Sequence, residues 1–509
     1  MAGVTPGRDS VPARRLAALV GDLTAERPPL YAALAARTRM LVADGRLPVG
    51  ERLPPERELA TAMHVSRATV ASAYGLLREQ GWATARQGAG TWTRLPAGSI
   101  RSGQGGAWLP EPPRPGVIDL AHAAPSAPPQ VSAAFGAALE DLPRFLPGHG
   151  YHPQGLPDLR ARIAQRYVAR GLPTTADQVL VTSGALEAVG LVVEALSRRG
   201  DRVIAEHPTY PNAIDVVRSR GRRVVPVAVD ADEPDRAVRD LSRSARTTSP
   251  ALAYVMPDFQ NPTGMLLDES QRRRLAVGLR QAGTVALVDE TLVEIDLRGG
   301  GTGRDGGGSV VAGEEVSVHD RMGLLPFAAV ADPAPVVTVG SLSKSVWGGL
   351  RIGWVRADAD LLARVARVAG QAQLSGPVLE QLAACHLLDA AAEIRALRSA
   401  ELHARRDALV AALRECLPDW RFREPAGGLV LWCELPGLSS TSLVGAAQQR
   451  GVLLAAGPRF GTGHTFDDRL RLPYTQPAEV LRRGVALLAE AAADLPRRRP
   501  EQVEHRLVV

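Results

Sequence analysis

Hydrophobic and polar positions follow two regimes along the chain. In the first, apolar residues recur at helical spacing: Leu30, Leu34 and Leu41 in one stretch, then Val70, Tyr74 and Leu77 in another. Between them, Gly45, Pro48 and Gly50 mark a turn, and Pro54-Pro55-Glu56 opens a short helix with acids in its first turn. A break at His64-Val65 leads to Ser66, a good N-cap for the helix that ends at Gly81. Residues 82–92 read as a two-stranded ribbon around Gly88-Ala89-Gly90. These elements define a unit over 28–94, behind an N-terminal extension over 1–27.

In the second regime, from about 117, short apolar runs alternate with helical stretches. The runs lie at 179–182, 202–205, 223–227, 252–256, 285–288 and 336–339. Such alternation predicts a largely parallel α/β sheet. Helical stretches after 377 and a strand over 429–434 predict a smaller α+β subdomain over about 377–490. A large subdomain over 117–376 precedes it, and a tail over 491–509 follows. The Pro/Gly/Ser-rich stretch 95–116 reads as a flexible linker, and the glycine-rich stretch 299–308 as a surface insertion.

Composition narrows the class. The 509 residues are 45% hydrophobic and 22% charged, which fits a multidomain globular protein rather than a disordered one. No apolar run approaches the roughly 18 residues of a membrane span. There is no signal-peptide pattern, so a cytoplasmic protein is expected. The three cysteines, Cys385, Cys416 and Cys433, lack metal or disulfide spacing, and no metal site is expected. The formal charge is +6, and region 28–94 holds nine arginines against five acids. Two thirds of the excess charge therefore sits in about an eighth of the length.

That concentration suits a nucleic-acid interface. Two helices joined by a tight turn, then a Gly-tipped hairpin, are the parts of a winged helix-turn-helix, mainly α with a β-wing. Its second helix presents Ser66, Arg67 and Thr69 to a major groove, where Arg reads guanine and Ser or Thr meets phosphate or base. Arg57 is placed to meet a backbone phosphate.

One further compositional feature carries chemistry. Lys344 is the only lysine, and the other 59 cations are arginines. Arginine replaces lysine in ion pairs but cannot act as an amine nucleophile, since guanidinium stays protonated. A pyridoxal 5'-phosphate site needs such an amine, donors and a cation for the phosphate, a carboxylate for the pyridine nitrogen and an aromatic ring against the cofactor face. Ser341, Ser343 and Arg351 flank Lys344 and suit the phosphate. Gly184, Ala185 and Leu186 open a helix after a strand and suit the same anion. Asp289 ends an apolar run, where open α/β sheets place their sites. Tyr210 is positioned to stack on the ring, and Asn261 to donate to its phenolic oxygen.

The motifs resemble known families. Leu53-Pro-Pro-Glu-Arg-Glu-Leu-Ala, Val65-Ser-Arg-Ala-Thr-Val, Tyr74-x-x-Leu77 and Gly88-x-Gly90-Thr91 resemble the GntR-type winged helix. That resemblance implies DNA contacts at Arg57, Ser66, Arg67 and Thr69, with Gln87 and Gly88 at the wing. The Lys344 set over about 117–490 resembles fold-type I aminotransferases, as do Tyr151-x-Pro153-x-Gly155, Gly427-Gly428 and Arg469-Leu-Arg471. It implies a Schiff base on Lys344, a Tyr151 that reaches the partner subunit's phosphate in a homodimer, and an Arg471 that binds an effector α-carboxylate. Aminotransferases place a tyrosine two or three residues after the pyridine carboxylate; here those positions are Thr291 and Leu292. Efficient transamination is thereby less supported than cofactor binding. Together the halves resemble the MocR subfamily of regulators. The function implied is a transcriptional regulator that binds an operator in double-stranded DNA and senses pyridoxal phosphate or an amino compound. The alternative is a working aminotransferase with an accessory N-terminal domain.

Overall fold

The computed structural model describes residues 10–21, 23, 29–43, 46–86, 90–94, 115–298, 324–331, 333–462 and 465–497. Gln87, Gly88, the glycine-rich stretch 299–308 and nearly all of the linker lie outside them.

Among the described residues, the N-terminal unit contains four helices, Ala13–Val20, Leu30–Ala43, Glu56–Met63 and Arg67–Glu79. Its wing pairs β1 (Ala83–Arg86) with β2 (Gly90–Thr93), antiparallel. Residues 50–53 add backbone bonds to β2, including Leu53 N–H to Thr91 O at 2.8 Å. The period-of-helix residues behave as read: Leu34, Leu41, Val70, Tyr74 and Leu77 share one core. That core also takes in Val11, Leu16, Val20 and Leu23. The expected boundary at 28 therefore cuts through a packed unit. The helix Ala13–Val20 falls within the expected extension, where its apolar run, Leu16 to Val20, is too short to announce a helix. The left-handed His64 (φ 56°) ends the helix Glu56–Met63, and Ser66 caps the next by accepting from Thr69 N–H at 3.0 Å. The buried Tyr74 hydroxyl donates to Pro54 O at 2.9 Å and pins helix Arg67–Glu79 to the entry of helix Glu56–Met63.

The second unit opens with β3 (Ile118–Leu120). Seven strands then build the main sheet: β4 (Val179–Thr182), β5 (Arg202–His207), β6 (Arg223–Ala228), β7 (Leu252–Val255), β8 (Val285–Asp289), β9 (Val336–Ser341) and β10 (Gly353–Arg356). Their order is β4-β10-β9-β8-β7-β5-β6. Only β10 runs antiparallel, against both neighbours. Alternation along β7 shows both faces covered: Leu252 and Tyr254 join the core under helices Ala185–Leu196 and Ala359–Ala372, whereas Ala253 and Val255 join the opposite core.

The smaller sheet contains β11 (Arg421–Phe422), β12 (Val430–Glu434), β13 (Val452–Ala456) and β14 (Arg469–Pro473), ordered β11-β12-β14-β13-β3. Two expectations change here. β3 belongs to the small subdomain, paired in parallel with β13, not to the large one. Conversely, helix Val378–Asp389 packs on helix Gln130–Asp141 within the large-subdomain core, so 377 is not the division. Helix Ala391–Cys416 spans the two: Ile394 lies in the large core, and Leu402, Leu409 and Leu413 in the small one. A sequence pattern records a helix's apolar stripe but not which neighbour covers each end. Helix Leu30–Ala43 of the N-terminal unit packs against helix Ser440–Gln449 of the small subdomain.

Candidate functional site

Lys344 sits in the turn after β9, partly buried, and its Nζ donates to Ala123 O at 2.8 Å. Burial pushes its pKa down to about 8, with help from the positive charges of Arg471 and Arg351 and against the pull of Asp289. An appreciable fraction of the amine is therefore unprotonated near neutral pH, as a nucleophile requires.

Asp289 ends β8 and is buried. Its Oδ2 accepts from the Tyr254 hydroxyl at 2.7 Å, and its Oδ1 from Thr291 N–H at 2.9 Å. Desolvation raises its pKa; the Tyr254 and Thr291 hydrogen bonds and the Lys344 charge oppose that rise. The Thr291 hydroxyl also engages this carboxylate. Leu292 is buried with Phe259 and Ile295 in the small-subdomain core. Neither position thus offers a spare hydroxyl of the kind a tyrosine supplies.

Tyr210 opens helix Pro211–Ser219, accepts from Asn212 Nδ2 at 3.1 Å and feels the charges of Asp289, Arg471 and Arg351. The Arg471 guanidinium is buried on β14, where desolvation lowers its pKa to about 9. It donates to Ala121 O and, at 3.3 Å, to Asn261 Oδ1, and lies 4.8 Å over the Phe460 ring.

A cradle of backbone and hydroxyls closes the other end. Gly184 (φ +111°) caps helix Ala185–Leu196 with no side-chain partner, which leaves first-turn amides for an anion. Ser341 Oγ lies 2.8 Å from Ser343 Oγ, donates to Ile352 O at 3.0 Å and accepts from Ser343 N–H at 3.0 Å. Arg351, in the left-handed region at φ 54°, donates to Ser183 O and lies across Gly184, where an added Cβ would sit 2.7 Å from its Nη2. A Cβ on Gly353 would meet the Gly184 carbonyl carbon at 2.5 Å. Strand β10 can approach the helix start only as glycine, and Arg351 takes a costly conformation to reach it.

These donors fit pyridoxal phosphate. The chemistry of the set is an amine of lowered pKa, a buried carboxylate, an aromatic ring, and a cation beside uncapped helix amides. Tyr151 stands apart from it, exposed and stacked on His149 at 5.5 Å. Sequence reasoning missed Tyr254 and the carbonyls of Ala121 and Ala123. A hydroxyl inside an otherwise apolar strand was the signal for Tyr254; alanine carbonyls leave none. It also missed Glu206, buried, with pKa raised to about 8 by desolvation. Glu206 accepts from Gln260 Nε2 at 3.1 Å, next to Asn261.

The second face is open. Ser66 and Arg67 are exposed at the start of helix Arg67–Glu79, and Arg57 is exposed on the preceding helix. Arg67 Nε bonds Glu56 Oε2 at 3.2 Å across the turn. Such a surface pair is worth only about 0–1 kcal/mol and yields readily to a phosphate or a base.

Comparison with known proteins matches both units. Residues 133–488 match the family described as aminotransferase class I and II, and residues 30–92 the gntR family of bacterial regulatory proteins. A 2-aminoadipate transaminase of Thermus thermophilus is 29% identical over 75% of this chain and 91% of its own length. An uncharacterised HTH-type transcriptional regulator of Bacillus subtilis, YdfD, is 23% identical over 90% of this chain and 95% of its own length. The crystal structure of LysN, the alpha-aminoadipate aminotransferase of T. thermophilus, complexed with N-(5'-phosphopyridoxyl)-L-leucine, superposes with a TM-score of 0.64 at 27% identity. It covers 74% of this chain and 92% of its own.

Proposed function

The chain belongs to the class I and II aminotransferase family and carries a GntR-type domain ahead of that fold, the organisation of the MocR regulators; on that premise we propose a DNA-binding transcriptional regulator that responds to pyridoxal phosphate or to an amino compound exchanging onto it. The observation that carries the reading is the pairing of an exposed helix start, at Ser66 and Arg67, with a buried set of amine, carboxylate and cation whose positions 291 and 292 provide no free hydroxyl. Regulator relatives matched over nearly the whole chain support it.

Each residue has a task in this proposal. Lys344 would supply the amine for the cofactor's carbonyl carbon. Asp289, held by Tyr254, would serve the pyridine nitrogen. Tyr210 would pack on the ring, and Asn261 would donate to the phenolic oxygen. Ser341, Ser343, Arg351 and the amides of Gly184, Ala185 and Leu186 hold the phosphate. Arg471 takes the effector's carboxylate. Bound pyridoxal phosphate supplies an electron-withdrawing ring and a carbonyl for amine exchange. In a homodimer, Tyr151 extends to the partner's phosphate, and two winged helices read two half-sites through Arg67, Ser66 and Thr69, with Arg57 on the backbone and Gln87 and Gly88 at the wing.

The test couples three measurements on the purified chain: its absorbance with pyridoxal phosphate, its binding to duplexes selected from a random pool, and turnover with an amino donor and a 2-oxo acid. The expected result is cofactor absorbance with sequence-selective duplex binding that the cofactor or an amino compound alters. Steady turnover without selective binding would replace this reading by the transaminase one.

A further inference from the structure

The segment 118–126 runs from the small-subdomain sheet into the site. We propose that it is a relay strap: its carbonyls hold Lys344 and Arg471 in the ligand-free state, and their release on ligand binding is passed to the winged-helix unit. This rests on the regulator reading above and names how that site would be read out.

The strap touches both ligand-binding charges at once. Ala123 O accepts from Lys344 Nζ at 2.8 Å, and Ala121 O accepts from the Arg471 guanidinium. Both ends are fixed. Upstream, β3 pairs with β13 from Ile118 to Leu120, and Leu120 packs on Gly484, where an added Cβ would meet it at 2.9 Å. Downstream, Arg398 donates to Ser126 O and, at 2.7 Å, to Val346 O beside Lys344. The bend between is shaped by Asp119, whose Oδ1 accepts from Ala121 N–H at 2.8 Å and His122 N–H at 3.1 Å.

Ligands compete for these donors. Condensation of a lysine amine with an aldehyde forms one C=N bond and releases one water, and the nitrogen keeps at most one hydrogen. Lys344 then loses most of its capacity to donate to Ala123. A carboxylate is a stronger acceptor than a peptide carbonyl and displaces Ala121 from Arg471. Each ligand releases one inner contact, the lysine-bound cofactor freeing Ala123 and a bound carboxylate freeing Ala121, while both outer anchors stay, so the bend is loosened and the change passes into β3.

From β3 the path to the DNA-binding unit is short and continuous. β3 pairs with β13, β13 packs under helix Ser440–Gln449, and that helix packs against helix Leu30–Ala43 of the winged-helix core.

The experiment has two arms on the full-length chain. In the first, hydrogen exchange is followed over 118–126 without and with pyridoxal phosphate. The Ala121 and His122 amides are expected to exchange about fivefold faster or more when it is bound. In the second, affinity for a duplex selected by the wild type is measured with and without pyridoxal phosphate, for wild type, Asp119→Asn and Asp119→Ala. The wild-type ratio is expected at about fivefold or more. The variants should keep the cofactor's absorbance while the ratio falls toward one. Unchanged exchange, or variants that keep the full ratio, overturns the relay. A strap that responds while the wild type shows no ratio instead overturns the regulator reading. Where a variant fails to fold, the exchange arm on the wild type decides.

Discussion

The cofactor region and the DNA-binding face use the same few residue types in opposite physical settings. Lys344, Asp289 and Arg471 are withdrawn from water and already hold protein partners, and burial has moved their pKa values toward neutrality. Arg57, Ser66 and Arg67 stand in water on helix starts, with one weak ion pair among them. A ligand entering the first region must displace something and shift the balance of neighbouring charges. DNA arriving at the second displaces little beyond solvent and counterions. The buried region is therefore suited to report a binding event to the rest of the protein, and the exposed one to be moved as a rigid piece.

The largest expected effect isolates the buried region. Lys344→Ala removes the only amine side chain of the chain. The long-wavelength absorbance of lysine-bound pyridoxal phosphate should vanish completely, and Lys344→Arg should lose it equally, since charge without a neutral amine does not suffice. Duplex binding measured without cofactor should move toward the wild-type value with cofactor, because the variant also lacks the Lys344–Ala123 hydrogen bond. Residual absorbance in either variant would remove Lys344 from its role.

The next effect isolates the exposed face. Arg67→Ala should weaken binding to a selected duplex by about 10- to 100-fold, the usual cost of losing an arginine–base contact. Cofactor absorbance should be unchanged. Stability should change by less than about 0.5 kcal/mol, because Arg67 is solvated and its ion pair with Glu56 is weak. Unaltered affinity would move the recognition surface elsewhere on the unit.

The two regions also differ in how they could be read from the chain. Ser66, Arg67 and the helix spacing around them are local signals, and the observed cap matches the expected one because capping is decided within four residues. Lys344 stood out because chemistry forbids its replacement by arginine. Its immediate surroundings were less legible. The carbonyls of Ala121 and Ala123 come from a segment more than 200 positions away from Lys344, and any residue but proline presents the same group. Tyr254 reads as one more apolar strand residue until β7 and β8 are set side by side. The subdomain boundary failed for a related reason: β3 carries only three residues, and its allegiance to the small sheet is settled by pairing with β13, over 330 positions later.

The smallest effect separates the regions by titration. With a pKa of about 8, Lys344 is about one-tenth neutral at pH 7 and half neutral at pH 8. The rate at which the apoprotein captures pyridoxal phosphate should therefore rise about fivefold over that unit and flatten above it. An unperturbed lysine would instead gain close to tenfold per unit and keep climbing past pH 9. The DNA-binding face carries arginines, which do not deprotonate in this range. Duplex affinity without cofactor should accordingly stay flat from pH 7 to 8. A capture rate still rising tenfold per unit at pH 9 would mean that burial and the two neighbouring arginines do not set the reactivity of Lys344. A matching slope in duplex affinity would mean that a titrating group couples the regions even without ligand.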